Sequence, residues 1–435
     1  MNLKNKHVIV LGAGSSGRDA AALALREGAS VAVHDSRESI TGIAEGVQTV
    51  AKASSQTGEQ SHCDLLVLSP GIDGETDFVR AYAANAGEMV GEVEFAYRFY
   101  SGQIVAITGT NGKTTTTELV VRILNYAGIS CRACGNYGPT FSEMVLMDEP
   151  PQALALEVSS FQLETIRDFH PGVVVWLNFS PDHMDRYPTV EAYKAAKLRV
   201  FENLTAEDSI VVRAGEDIGT QSAEDTTCST EEDADFTLVD HAIALSGENV
   251  LDLAQTRLRG LHNAENAMAA FAACSVLGVT ASVAEEALQG FAPPLHRCEL
   301  VRTLDGVEYI NDSKATNLHA LDSALRSQGR PIVLIAGGKQ KGLDYSEILP
   351  RLEATTKGIV VFGEIADQIA QTFQPVSTTA PCTVVESLEE AVRTAASIAE
   401  CGDTILFSPG TSSFDMFSGY EERGDCFRRI VNELK

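Results

Sequence analysis

Positive charge is scarce in this chain. Its 33 lysines and arginines face 60 aspartates and glutamates, a formal net charge of −27 over 435 residues. That deficit argues against general nucleic-acid binding, which needs a basic surface to displace counterions. Long apolar runs are missing as well. No stretch approaches the roughly 18 residues of a membrane span, so no membrane insertion is predicted. The N-terminal "MNLKNKHVIVLGAG" is interrupted by Gly12 and Gly14, unlike the longer apolar segment of a signal peptide. Nine scattered cysteines suit a reducing compartment, and a cytoplasmic location is expected. Cys131 and Cys134 form a lone C-x-x-C with no second pair at zinc-site spacing. One glycine is absent where it would matter most. In "AITGTNGKTTTTEL" (106–119) a full Walker A loop ending at Lys113 and Thr114 needs Gly at 107, and Ile107 stands there.

What is present reads as nucleotide-binding α/β architecture. With roughly 100–200 residues per domain, the chain predicts two to four domains. "HVIVLGAGSSGRDAAALALREGASVAVHDSR" runs from a strand at His7–Leu11 through Gly12-x-Gly14-x-x-Gly17 into a helical pattern. A second strand over 31–33 then ends at Asp35. This is the dinucleotide fingerprint; physically, it offers backbone N–H groups at a helix N-terminus to a diphosphate. "DLLVLSPGI" (64–72) is another strand running into a turn.

A second unit begins near Gly91, where "QIVAITGTNGKTTTTELVVRIL" reads as strand, phosphate loop and helix. Lys113 supplies a mobile cation and the Thr114 hydroxyl suits Mg²⁺. "LALEVSSFQLE" and "VVVWLNFSPDHMDRY" place Glu157 and His183 just after strands, where ligands bind in open α/β sheets. His183 alone could equally be a satisfied structural histidine. Residues 214–258 are acidic and irregular and read as exposed loops and short edge strands without chemistry. "LRGLHNAENAMAAFAACSVLG" reads as an amphipathic helix in which Asn263 could be a cap. Pro293-Pro294 marks a linker, and β–α alternation resumes beyond it, predicting a mainly parallel sheet.

Taken together and in order, "GTNGKTTTT", "EVSSFQLE", "NFSPDHMDRY", "YKAAK", "GLHNAENAMAA", "HRCE", "NDSKATN" and "SPGTSSFDMFSGYEERG" resemble the Mur ligases. These share a fold with folylpolyglutamate synthases and bind phosphates with the shortened G-x-x-G-K-T loop. The resemblance implies three α/β domains. Residues 1–91 would form a Rossmann-like UDP-substrate domain, 92–293 a P-loop-type ATP-binding domain and 294–435 a Rossmann-like amino-acid domain. "SSFQLE", "DHMDRY" and "NDSKATN" point to the members that add D-glutamate to UDP-N-acetylmuramoyl-L-alanine through an acyl phosphate, in peptidoglycan precursor synthesis.

The resemblance also implies roles, residue by residue. Gly109, Thr110, Asn111, Gly112, Lys113, Thr114 and Thr115 would hold ATP, with Asn266, Arg297 and Asp312. Thr114 and Glu157 would bind one Mg²⁺ and His183 a second, with Mn²⁺ as a substitute. Lys197 matches the family's carbamylated lysine, whose carbamate also binds metal. Ser15, Ser16, Asp35, Ser36 and Gly71 would line the uridine-diphosphate site, with Asn136 and His183 nearer the sugar and peptide. Lys314, Thr316, Lys341, Ser413 and Tyr420 would hold D-glutamate. The expected partners are these small molecules, and a monomer is expected.

Four positions depart from the pattern. Ser15 and Ser16 replace an apolar residue and Thr, Lys339 in "GGKQKG" replaces a frequent Asp, and Tyr420 replaces Phe. Other readings remain open on residues alone: an NAD-dependent dehydrogenase from Gly12 to Asp35, a non-catalytic nucleotide-sugar sensor, or a Mur-type or folate-type ligase for another amino acid.

Overall fold

Alternation of buried strands with surface helices organises the chain around three sheets. The computed structural model describes every residue except Asp185, Ser222, Arg257, Arg259, Ala292, Pro293 and Pro294. The linker expected at Pro293-Pro294 therefore lies outside the described residues, as does Asp185 of "SPDHMDRY". The backbone packs as two units, Met1–Leu251 with Asn266–Leu288, and Asp252–Glu265 with Gln289–Lys435.

The first unit contains two sheets. The five-stranded one runs, in spatial order, Gln48–Val50, Ser30–His34, His7–Leu11, Cys63–Leu68 and Ala86–Gly91, and every pairing is parallel. Burial on both faces explains why its inner strands read "HVIVL" and "CDLLVL" rather than alternating with polar residues. Val8, Val10, Leu65 and Val67 are buried in one core with Ala20, Leu23 and Ala24 of the helix Ser15–Arg26. Each buried Val or Leu among them contributes about 1.5–3 kcal/mol.

The second sheet has nine strands. Cys131–Gly135, Ala153–Glu157, Gln103–Thr108, Val173–Trp176, Ser209–Arg213 and Glu224–Ser229 lie side by side in that order, all parallel. Phe236–Val239, Ala242–Leu245 and Glu248–Asp252 extend it. The acidic stretch thus continues the sheet, and Cys228, Phe236, Ile243 and Leu251 are buried.

A charge cluster ties the two sheets together. The buried Glu94 carboxylate accepts the backbone N–H groups of Arg167, Asp168 and Phe169 at 2.8, 3.0 and 2.9 Å. Arg98 binds Glu94 at 2.9 Å and also grips Glu88 at 2.7 and 2.9 Å. A charged side chain at Glu94 is tolerated in the interior because its acceptors are filled.

The helix expected to be amphipathic, Leu261–Val276, is instead buried at every residue from 266 to 274. Its alanines allow close approach on all sides, so the polar stripe a surface helix carries is missing. Asn263 lies inside the first turn and its N–H donates to the Gly260 carbonyl at 3.1 Å, so it is not the cap.

The second unit holds a six-stranded sheet in the order Glu299–Leu304, Val307–Asn311, Thr404–Phe407, Ile332–Gly337, Thr356–Phe362 and Cys382–Val384. Only the first pair is antiparallel. Asp252–Glu265, which includes the first residues of the long helix, groups with this unit.

Candidate active site

The shortened loop follows strand Gln103–Thr108, and the helix Lys113–Tyr126 follows the loop. Gly112 caps that helix in the left-handed region at φ 84°, and a Cβ there would stand 2.3 Å from Asn266 Oδ1. Both the backbone angle and the crowding demand glycine. The loop is zipped to residues 178–180. Thr110 N donates to Asn178 O at 2.9 Å, Asn111 N to Asn178 Oδ1 at 2.9 Å, and Thr110 Oγ1 to Ser180 O at 3.1 Å. Lys113 Nζ curls back onto the Gly109 and Thr110 carbonyls, both at 2.9 Å. Asn266 Oδ1 accepts from Thr116 Oγ1 at 3.3 Å.

Strand register brings the acidic partner alongside. Ile107 is paired with Glu157 on the neighbouring strand. Glu157 is 2% exposed, and its Oε1 accepts from Asn136 Nδ2 at 2.7 Å. Its Oε2 is buried without a hydrogen-bond partner among the described residues. Asn136, expected toward the sugar and peptide, thus also orients Glu157.

Lys197 is 2% exposed and donates to the Gly109 carbonyl at 2.9 Å. Its ammonium lies 5.0 Å from the centroid of the Tyr193 ring. Burial, reinforced by Lys113, drives its pKa well below the usual lysine value, against the opposing pull of Asp182 and Glu157. His183 sits at φ 58°, its ring 5.0 Å from Phe161 and 5.7 Å from Tyr193.

In the five-stranded sheet's first turn, Gly17 meets the Gly12 carbonyl so closely that a Cβ would fall 1.8 Å from the oxygen. Ser15 and Ser36 are exposed, Ser16 is half-buried and Gly71 is exposed, all near strand ends. The Asp35 carboxylate accepts from Ala13 N at 2.7 Å and from Arg37 N, Nε and Nη2 at 2.8, 3.0 and 2.8 Å. The Arg37 hydrogen bond holds its pKa down near 2.

In the second unit, Asp312 is buried, accepting from Ser408 Oγ at 2.8 Å and Cys298 N at 3.2 Å. Burial pushes its pKa up to about 7, opposed by these bonds and by Arg297. Lys314 Nζ donates to Tyr420 Oη at 3.0 Å and Lys341 Nζ to Thr316 O at 3.3 Å. Lys339 N reaches Ser412 O at 2.9 Å, beside the buried Ser413. The loops after three strands therefore converge with the start of helix Tyr420–Glu433.

Several supporting residues were not foreseen. Arg37 fills Asp35, and Asn178 and Ser180 hold the phosphate loop. Glu216, inside the acidic stretch, accepts from Trp176 Nε1 at 3.1 Å and Phe179 N at 3.3 Å. Arg423, fully buried, donates to Ser313 and Thr411 carbonyls at 2.8 and 3.1 Å. Of these, Asn178 and Ser180 lie in "NFSPDH" and Arg423 in "GYEERG", motifs that could have flagged them, whereas Arg37 and Glu216 lie in none.

Three family profiles match this chain. One described as Mur ligase MurD-like, N-terminal domain covers residues 6–91, the Mur ligase middle domain 107–274, and the Mur ligase, glutamate ligase domain 296–410. The chain is 36% identical to the UDP-N-acetylmuramoylalanine–D-glutamate ligase of Alkaliphilus metalliredigens, covering 100% of both chains. It is 38% identical to the protein of the same name from Geobacter metallireducens, over 100% of this chain and 99% of that one. Among solved structures, the UDP-N-acetylmuramate-alanine ligase MurC of Thermotoga maritima matches with TM-score 0.62 at 19% identity, covering 99% of this chain and 100% of that one. The MurF ligase of Thermotoga maritima, in complex with ADP, matches with TM-score 0.62 at 17% identity over 99% and 96%. With full-length relatives at this identity and profiles along all three sheets, the chain belongs to the Mur ligase family.

Proposed function

We propose that the chain joins D-glutamate to UDP-N-acetylmuramoyl-L-alanine at the expense of ATP, forming a peptidoglycan precursor. The observation that carries the reading is the meeting of Lys113 and Lys197 on one loop carbonyl in the strand-end site that also holds Glu157. Relatives of that name across the full length support the choice of amino acid.

A carboxylate is a poor acyl donor, so its oxygen first takes the terminal phosphoryl group of ATP. The amine of D-glutamate then attacks the acyl carbon, and the tetrahedral intermediate expels phosphate. Charge builds on phosphate oxygens in both steps, and fixed donors are worth most there. The loop N–H groups of 109–115 and Lys113 receive that charge, with Asn266, Arg297 and Asp312 contacting the nucleotide. Ser15, Ser16, Asp35, Ser36 and Gly71 hold the uridine diphosphate, and Lys314, Thr316, Lys341, Ser413 and Tyr420 the amino acid.

The donor set fits Mg²⁺. Glu157 presents a buried carboxylate oxygen with no protein partner among the described residues, and hard cations take such oxygens. Thr114 and Glu157 would hold one ion, and His183 with carbamylated Lys197 a second; Mn²⁺ would substitute. Bound there, the metal neutralises phosphate charge. A depressed Lys197 pKa favours the neutral amine, the form that adds CO₂ with loss of one proton.

The working division is 1–91 for the UDP substrate, 92–293 for ATP and 294–435 for the amino acid, in a cytoplasmic monomer. No helix among the described residues is long and apolar enough to cross a membrane. The test is phosphate release with ATP, Mg²⁺ and UDP-N-acetylmuramoyl-L-alanine, adding amino acids one at a time. Release that does not depend on D-glutamate overturns the reading.

A further inference from the structure

Glu164 closes the short helix Ser160–Leu163, and its backbone is anchored. Its N–H donates to the Ser160 carbonyl at 3.1 Å. Arg199 donates to the carbonyls of Leu163 at 2.9 Å, of Glu164, and of Ile166 at 2.9 Å. From that base the carboxylate reaches the segment that carries His183. Oε1 accepts from Tyr187 Oη at 2.5 Å and Oε2 from Arg186 Nη2 at 2.6 Å. One carboxylate thus takes hold of two consecutive residues. The Arg186 and Glu164 side chains are 16% and 27% exposed, so the pair is partly shielded and belongs to a network, the setting in which a charge pair near the surface keeps one geometry.

Those two residues hold His183 in turn. The N–H groups of Arg186 and Tyr187 both donate to the His183 carbonyl at 3.0 Å. The Arg186 guanidinium covers the Phe161 ring, 4.3 Å from its centroid, and the Phe161 ring stands edge-on to the His183 ring at 5.0 Å. Tyr187 packs on Tyr193 at 5.3 Å, and Tyr193 meets both the His183 ring at 5.7 Å and the Lys197 ammonium at 5.0 Å. His183 needs such a brace. Its φ of 58° lies in the left-handed region, which a residue with a side chain keeps where its surroundings fix it. A change in that backbone angle would swing the imidazole with it.

We infer that Glu164 is a positioning residue of this enzyme: by gripping Arg186 and Tyr187 together, it fixes the backbone and the ring of His183 in the strand-end site. The inference rests on the ligand role proposed for His183 above. Glu164 acts through its neighbours, as the groups that orient a metal-binding histidine do.

The test is the imidazole ¹H–¹⁵N spectrum of Glu164→Gln and Tyr187→Phe, with His183→Gln identifying the ring's signal, alongside steady-state kinetics and thermal melts. Glutamine keeps the size of Glu164 without its charge, and phenylalanine keeps the Tyr187 ring without its hydroxyl. In Glu164→Gln the His183 signal should move or broaden while the other histidine signals stay in place. Tyr187→Phe should move the same signal less far. The Mg²⁺ concentration for half-maximal activity should rise about 10–100-fold in Glu164→Gln, the usual cost of losing a group that orients a metal-binding histidine. The D-glutamate KM and the melting temperature should stay near wild type. A His183 signal that moves in neither variant, or a D-glutamate KM that rises as much as the Mg²⁺ requirement, overturns the inference. Wild-type Mg²⁺ dependence in His183→Gln overturns the ligand role of His183 instead, and the spectra still decide whether Glu164 fixes its ring.

Discussion

Lys113 Nζ and Lys197 Nζ converge on a single oxygen, the Gly109 carbonyl, each at 2.9 Å. Two ammonium groups on one neutral acceptor repel each other, and burial of Lys197 adds a desolvation cost. The outcome is division of labour. Lys113 reaches the loop from the helix N-terminus, where a phosphate would sit, while Lys197 is driven toward its neutral form.

Lys113→Ala should therefore lower phosphate release by about 10²-fold or more, the usual cost of removing a donor to transition-state charge. Circular dichroism should be unchanged, because the loop is held by 178–180 rather than by this side chain. Wild-type turnover in a folded variant would count against the phosphate-site assignment.

Lys197 should carry a carbamate, visible in the ¹³C spectrum after incubation with labelled bicarbonate. Its folded pKa is depressed, so the amine protonates, and the carbamate is lost, as pH falls through that value. Activity should show an acidic limb that bicarbonate relieves. Lys197→Ala should be inactive and partly rescued by acetate; an active variant with no labelled signal in wild type would contradict this.

Glu92 offers a stability signature away from the chemistry. Its buried carboxyl accepts from Ser142 N at 2.7 Å, and burial, with the nearby Asp19 charge, raises its pKa to about 7. The folded value exceeds the unfolded one, so the contribution is full below the unfolded pKa and lost as pH rises through 7. Over that window the loss is about 3 kcal/mol. Glu92→Gln should flatten the melting temperature between pH 5 and about 8. Parallel wild-type and variant curves would refute it.

Lys341→Ala should raise KM for D-glutamate far more than KM for ATP, since Lys341 reaches the Thr316 loop at the amino-acid end of the second unit. L-Glutamate and D-aspartate should be used worse on the order of 10⁴-fold, because a site that pairs both carboxylates at a fixed spacing penalises misplaced partners. An ATP defect alone in this variant would show the pocket lies elsewhere.

Much of this was legible locally. The strands "HVIVL" and "QIVAIT", the glycine turns and the order of motifs follow from short-range patterns that a linear reading can see. The match of "GTNGKTTTT" through "GYEERG" to one family supplied candidate donors one by one. What a linear reading cannot supply is adjacency. Strand Gln103–Thr108 lies between Ala153–Glu157 and Val173–Trp176, and that order alone sets the phosphate loop beside Glu157 and zips it to Asn178. The same packing buries Lys197, a residue type usually found in solvent. It also closes Arg37 over Asp35 and turns Glu216, in an unremarkable acidic stretch, into a support for the strand end at Trp176. Sequence by itself determined which chemical groups stand at each strand's end. Tertiary structure decided which ends meet and which charges leave water, because sheet order and burial come from contacts between residues far apart in the chain.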